Sequence, residues 1–210
     1  MRIVVLDGYT LNPGDLTWDE LEKLGECTFY DRTSPEKVLE RSKGAEILLT
    51  NKTVLTAEHI SSLPDLKYIG VLATGYNVVD IEAAKKHHIV VTNIPSYSTP
   101  SVAQMVFAHI LNITNRVQHY ADEVTEGKWA SSLDFSYCNT PLIELSGKKI
   151  GIIGLGHLVS AVAKIALGFD MAVWATTSIA SSELPQEIQT TELGDIFIEC
   201  DIITLHPHLI

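Results

Sequence analysis

Positive charge is scarce in this sequence: 15 Lys+Arg stand against 26 Asp+Glu, a formal net charge of −11. So acidic a chain is a poor match for a polyphosphate backbone, which argues against nucleic acid as a principal partner. No basic run is present to hold it on an anionic membrane. Long apolar runs are also lacking. The most apolar stretch, residues 150–169, contains His157 and Lys164 and is punctuated by Gly151, Gly154 and Gly156, unlike a membrane-spanning helix. The short run at the amino terminus ends in Asp7 and reads as a strand, not a signal peptide. Cysteines number three, Cys27, Cys138 and Cys200, with neither zinc-site nor CxxC spacing. Reduced thiols in a cytoplasmic protein are the expectation. There is no Walker A sequence, no GxSxG elbow, no low-complexity tract and no repeat of fixed period. His206 and His208 form an HxH pair without a third ligand at matching spacing, so no metal is expected.

What remains is an ordinary globular composition, 46% hydrophobic over 210 residues, enough for one large domain or two smaller ones. Short β-branched runs at 2–6, 27–30, 47–50, 68–72 and 89–92 alternate with helical periods at 18–23, 35–42, 57–62 and 80–87. That alternation predicts an α/β domain with a parallel sheet covered on both faces, spanning residues 1–98. Asp7 lies where that sheet's carboxyl edge would bind a ligand, or it caps a turn. A helix is expected from Thr99 and Pro100 to near Glu126, apolar around much of its circumference as a helix joining two domains would be. Residues 128–146 have no steady period and carry Trp129, Phe135 and Tyr137, which suits either a loop folded on its own domain or a partner contact.

The second domain, within residues 99–210, opens with a strand at 149–153 followed by Gly154-Leu155-Gly156 and a helix over 160–169. Strand, glycine turn and helix in this order read as a dinucleotide-binding element, or as an α/β domain that keeps the turn and has lost binding. The first glycine permits the turn, the second lets a pyrophosphate approach the backbone, and the helix N-terminus supplies free N–H groups. The fingerprint's third glycine is Val159 here, whose bulk would cost ~1–3 kcal/mol in a tight contact. After the next strand, at 171–175, an acid for the adenine ribose is expected, yet the sequence reads Trp174-Ala175-Thr176-Thr177. NAD and NADP are therefore not distinguished. A helix at 192–199 and a third strand at 201–205 follow.

Several segments together carry a resemblance: Ala73-Thr74-Gly75-Tyr76-Asn77, Val91-Thr92-Asn93-Ile94-Pro95, Ser101-Val102-Ala103-Gln104, Gly127-Lys128-Trp129 and Gly151-Ile152-Ile153-Gly154-Leu155-Gly156. In order and spacing the whole chain resembles the D-isomer-specific 2-hydroxyacid dehydrogenases, of the glycerate dehydrogenase or hydroxypyruvate reductase type. The resemblance implies a flavodoxin-like substrate-binding domain plus an incomplete Rossmann domain, with a cleft between them. It implies a homodimer formed through the 128–146 arm. The backbone of Ala73, Thr74 and Gly75 would hold the carboxylate of a small 2-hydroxy or 2-keto acid, as an anion nest. NAD or NADP would be bound at Gly154, Gly156, His157 and Leu158, at Thr176 and Thr177, and at His206 and Pro207.

The family's catalytic Arg, Glu and His all follow the region matching Leu205-His206, so no catalytic residue is expected among these 210. The expectation is a truncated or decayed member that is inactive alone. The alternative is a non-catalytic pseudoenzyme that binds an adenine nucleotide or a partner subunit. With only the three strands of the adenosine half, strand 149–153 is expected to be an exposed sheet edge. Asp170 stands where relatives commonly have a helix-ending glycine, and His206-Pro207-His208 departs from the usual His-Cys-Pro.

Overall fold

The computed structural model describes residues 1–154, 157–177, 180 and 183–206, with backbone only for 157–159. It divides into two compact units, Met1–Tyr97 and Ser98–Ile210.

The first unit alternates strand and helix: β1 (Arg2–Val5), α1 (Asp19–Glu22), β2 (Glu26–Phe29), α2 (Val38–Ser42), β3 (Ile47–Thr50), α3 (Ala57–Ser61), β4 (Tyr68–Val71), α4 (Ile81–Lys86) and β5 (Val90–Thr92). The five strands pair in parallel in the order β2-β1-β3-β4-β5, the flavodoxin-like arrangement. Ile3, Val4 and Val5 of β1 are fully buried because helices cover both faces of the sheet. The helices are short, and the start signals of α3 and α4 are in the sequence. Asp80 accepts the Ala83 N–H at 2.8 Å, and Thr56 forms a capping box with His59. The helix expected at 18–23 shortens to α1. That at 35–42 divides into a 3-10 turn, Pro35–Lys37, and α2.

The second unit opens with two helices, α5 (Thr99–Asn115) and α6 (Val117–Thr125), where one was expected. The break is Arg116, in the left-handed region at φ 49°. Its cause is tertiary. The Thr114 carbonyl, which a continuous helix would give to the fourth residue on, accepts the Ile143 N–H at 3.1 Å. The Thr114 hydroxyl donates back to the Ile110 carbonyl at 2.9 Å, a bond that bends helices. Then come β6 (Lys149–Gly154), α7 (His157–Gly168), β7 (Ala172–Thr176), β8 (Ile188–Thr190), α8 (Leu193–Glu199) and β9 (Ile202–His206). Helix α7 starts three residues before the position expected for it.

These strands form a parallel sheet in the order β8-β7-β6-β9. Two expectations fall here. The strand at 201–205 is the fourth, not the third. The third is β8, in which only Ile188 is apolar and buried, too short a run to register as a strand. And β6 is no exposed edge. It is flanked by β7 and β9, with Ile150 and Ile152 wholly buried. This is the 3-2-1-4 portion of a doubly wound sheet, and it includes the point where strand order reverses. Helix α5 packs on α7, with the rings of Phe107 and Phe169 stacked at 5.5 Å.

Candidate functional site

Two loop regions, one in each unit, carry the residues singled out in the sequence. In the first unit, residues 73–75 follow β4 at the carboxyl edge of the sheet. Ala73 is buried, while Thr74 and Gly75 are exposed. Neighbouring chain after β5 holds the loop in place. Asn93 Nδ2 donates to the Thr74 carbonyl at 2.7 Å, Thr74 Oγ1 donates to the Ile94 carbonyl at 3.2 Å, and the Ile94 N–H donates to the Ala73 carbonyl at 3.1 Å. These bonds occupy the carbonyls of Ala73 and Thr74 and leave the loop's backbone donors. Among the described residues, none accepts from the N–H groups of Ala73, Thr74 or Gly75. A turn with fixed carbonyls and unspent N–H groups suits an anion, above all a carboxylate. The part of Asn93 was not foreseen. Its signal was a lone polar residue ending β5 inside one of the resembling segments.

Asp7, at the end of β1, is buried and serves as the cap of a turn. Its carboxylate accepts the N–H groups of Asn51, at 2.8 Å, of Thr53, at 2.7 Å, and of Lys52.

In the second unit, β6 runs into Gly154, which has φ +110°, a conformation that L side chains rarely adopt. The chain enters α7 at His157. Gly154 is in register with His206 of β9, so the turn and the end of β9 lie side by side at the reversal of strand order, where dinucleotides bind in such sheets. Burial holds the His206 imidazole below its ordinary pKa, and its Nε2 has no partner among the described residues. Thr176 ends β7 and donates its hydroxyl to the Thr191 carbonyl at 2.9 Å; Thr177 follows it. Gly156 and Pro207 lie outside the described residues, as do the side chains of His157, Leu158 and Val159. Among the described residues, the turn contributes Gly154 in its positive-φ conformation, and β7 ends in Thr176, with neither an acid nor a base there.

Comparison with known proteins agrees with this geometry. Residues 3–192 match the family model described as D-isomer specific 2-hydroxyacid dehydrogenase, catalytic domain. The chain belongs to this family. It is 47% identical over 210 residues to a hydroxypyruvate reductase of Blautia hydrogenotrophica, covering 98% of this chain and 65% of that protein. It is 36% identical over 209 residues to a glycerate dehydrogenase of Methylorubrum extorquens, covering 99% of this chain and 64% of the other. The chain therefore spans about 65% of the length of these curated relatives. Among solved structures, the TT0316 protein of Thermus thermophilus superposes with TM-score 0.81 at 27% identity, over 100% of this chain and 66% of that one. An acyclic imino acid reductase, solved with NADPH and D-Arg, gives TM-score 0.79 at 27% identity over the same shares. The apo D-lactate dehydrogenase of Escherichia coli, at 22% identity and TM-score 0.79, shares the fold.

Among the described residues no helix is long and apolar enough to cross a membrane, and no group of three or more His, Cys, Asp or Glu could hold a metal ion.

Proposed function

We propose that these residues supply the substrate-carboxylate loop and the pyrophosphate turn of an NAD(P)-dependent oxidoreductase acting on a small 2-hydroxy or 2-keto acid of the glycerate/hydroxypyruvate type. The observation that carries this reading is the array of unspent N–H groups at Ala73, Thr74 and Gly75, with its carbonyls fixed by Asn93 and Ile94. Family membership and the hydroxypyruvate reductase and glycerate dehydrogenase relatives favour a short substrate with a hydroxyl group.

The dinucleotide, when bound, supplies or accepts a hydride. This chain's own residues would hold it. The pyrophosphate would be taken by the backbone at Gly154 and Gly156 and by the first turn of α7, at His157 and Leu158. Thr176 and Thr177 would take the adenine ribose, and His206 and Pro207 would complete the site. His206, kept neutral by burial, can donate or accept a hydrogen bond there without adding charge. Neither ribose form is selected by a charged group, so both NADH and NADPH are expected to bind. No acid, base or carbonyl-polarising cation is assigned within residues 1–210, so this stretch by itself is expected to bind without turning substrate over. The 128–146 arm, with Trp129, Leu133 and Phe135 exposed, suits contact with a second copy.

Calorimetric titration of the 210-residue polypeptide with NADH, NADPH and ADP-ribose, together with an assay of hydroxypyruvate-dependent NADH oxidation, tests the reading. Binding of all three without turnover is expected. Gly154→Val, which cannot hold φ +110° without strain, should weaken binding at least about tenfold, the equivalent of ~1.4 kcal/mol. Absence of dinucleotide binding in the wild-type chain would remove the proposal, and steady turnover would refute the expectation that residues 1–210 bind without catalysis.

A further inference from the structure

Three stretches of the second unit meet on one carboxylate. Glu123, on α6, is buried, and its Oε1 accepts hydrogen bonds from the Lys128 ammonium, at the start of the arm, and from Asn139 Nδ2, further along it, at 2.6 Å. His119, one turn back on α6, brings its Nε2 to 3.4 Å from the same oxygen and to 3.1 Å from Asn139 Oδ1. The Lys128 N–H also donates to the Glu123 carbonyl at 2.9 Å. Glu123 Oε2, by contrast, is buried and accepts from no described residue. Residues 129–138 thus form a loop whose two stems converge on a single acceptor atom, in the manner of an Ω-loop. Between the stems are Leu133 and Phe135, almost wholly exposed.

Both side-chain bonds draw on the negative charge, since hydrogen bonds to an ionised acceptor are about twice as strong as neutral ones. The bond from Lys128 holds the Glu123 carboxyl below the ordinary carboxylate range; burial pushes the other way, and Asn139 and His119 add to the lowering. The titratable and charged groups around it are His119 and Tyr120 of α6, Glu126 just beyond that helix, and Lys128 and Tyr137 of the arm, with Lys128 Nζ 5.9 Å from the centroid of the Tyr137 ring. A carboxyl that is more acidic with the loop fastened than with it free favours the fastened form above the free value, about 4.3. That contribution is lost as pH falls through the lowered value. Tyr120 adds a tie of another kind. Its hydroxyl meets Thr140 Oγ1 at 3.0 Å and accepts the N–H groups of Asn139 and Thr140, at 3.3 Å each. That tie has no charge to lose in acid, and it confines the change to the loop before it.

We propose that Glu123 is an acid-released clasp: ionised, it fastens both stems of the loop 129–138, and on taking a proton it lets the loop go. Oε2 is open to that proton, and the bonds at Oε1 then lose the charge that strengthens them. Fastened, the loop holds Leu133 and Phe135 ready for a contact; released, it must first be ordered, which weakens association. The clasp itself rests on contacts within one chain and does not require the second copy proposed above.

The test follows backbone order in the isotopically labelled 210-residue chain by NMR relaxation, from neutral pH to about pH 3.5. Order parameters of residues 129–138 should fall from the rigid range, about 0.85, to below about 0.6 in one step. Its midpoint should lie below about pH 4.3, with β6 and β7 unchanged. Lys128→Met, which removes the ammonium, should move the midpoint upward. Glu123→Gln keeps the shape without the charge. It should leave the loop released already at neutral pH, with circular dichroism unchanged and no step left to titrate. A loop that stays ordered until the whole unit melts, a step that survives in Glu123→Gln, or a loop still fastened in that variant would overturn the proposal. Order parameters report on the loop and sedimentation velocity on association, so failure of the clasp leaves the contact with a second copy to its own test.

Discussion

Asp7 shows how a single residue can hold a loop. Its carboxylate is buried and accepts three consecutive N–H groups from the turn after β3, donors that would otherwise be left without partners in the interior. Hydrogen bonds to a charged group contribute about 1.5–3 kcal/mol each, and stranded buried donors add a penalty. Asp7→Ala should therefore destabilise the first unit by at least about 3 kcal/mol. Urea denaturation followed by the Trp18 signal measures it, since that ring stacks on Phe29 of β2 at 5.0 Å. Asp170 makes the opposite case. It follows α7 with φ 55°, a left-handed conformation that costs a side-chain-bearing residue about 1–2 kcal/mol, less for Asp. Asp170→Gly should stabilise by ~0.5–1 kcal/mol, visible as a higher melting temperature. The residue's identity was legible as the wrong one for a helix-ending turn. That the turn truly adopts positive φ was a matter for the coordinates.

Among the elements, β6 is the one on which the second unit depends. It pairs on both sides, and at Gly151 helix α8 comes so close that a Cβ would lie 2.5 Å from Ile196 Cγ2 and 3.0 Å from Cys200 Sγ. Gly151→Ala must push α8 outward and should cost about 1–3 kcal/mol. Loss of hydrogen-exchange protection in α8 and β9 before β7 would locate the damage; uniform protection would contradict it. The strands and helices of the first unit were legible because each has its own period, and α3 and α4 also carry side-chain caps. Two features of the second were not. The break between α5 and α6 is produced by the arm's Ile143 taking the Thr114 carbonyl, a contact no local pattern announces. Strand β8 contains a single buried apolar residue and exists because β7 offers it a ladder.

For the whole molecule, the exposed apolar surface matters most. Leu133 and Phe135 of the arm are almost entirely exposed, at 103% and 92%. Behind them the arm is firmly tied to α6. Glu123 accepts from Lys128 and, at 2.6 Å, from Asn139, and this hydrogen bonding holds its carboxyl below the ordinary carboxylate range. Surface of this kind on an ordered segment points to association. The contact with a second copy proposed for the arm predicts that Leu133→Asp with Phe135→Asp leaves only monomers in sedimentation velocity while circular dichroism stays the same. A dimer that persists would exclude the arm as the contact.

The sequence by itself determined the α/β class and the family, because these rest on local periodicity and on motif order, and it marked Gly154, whose backbone conformation glycine tolerates best. Tertiary structure alone decided which strand lies at the centre of the second sheet and where the linking helix breaks. Those are outcomes of long-range pairing. Hydrogen bonds and burial between residues far apart in the chain outweighed local preference, and no window of sequence contains both partners.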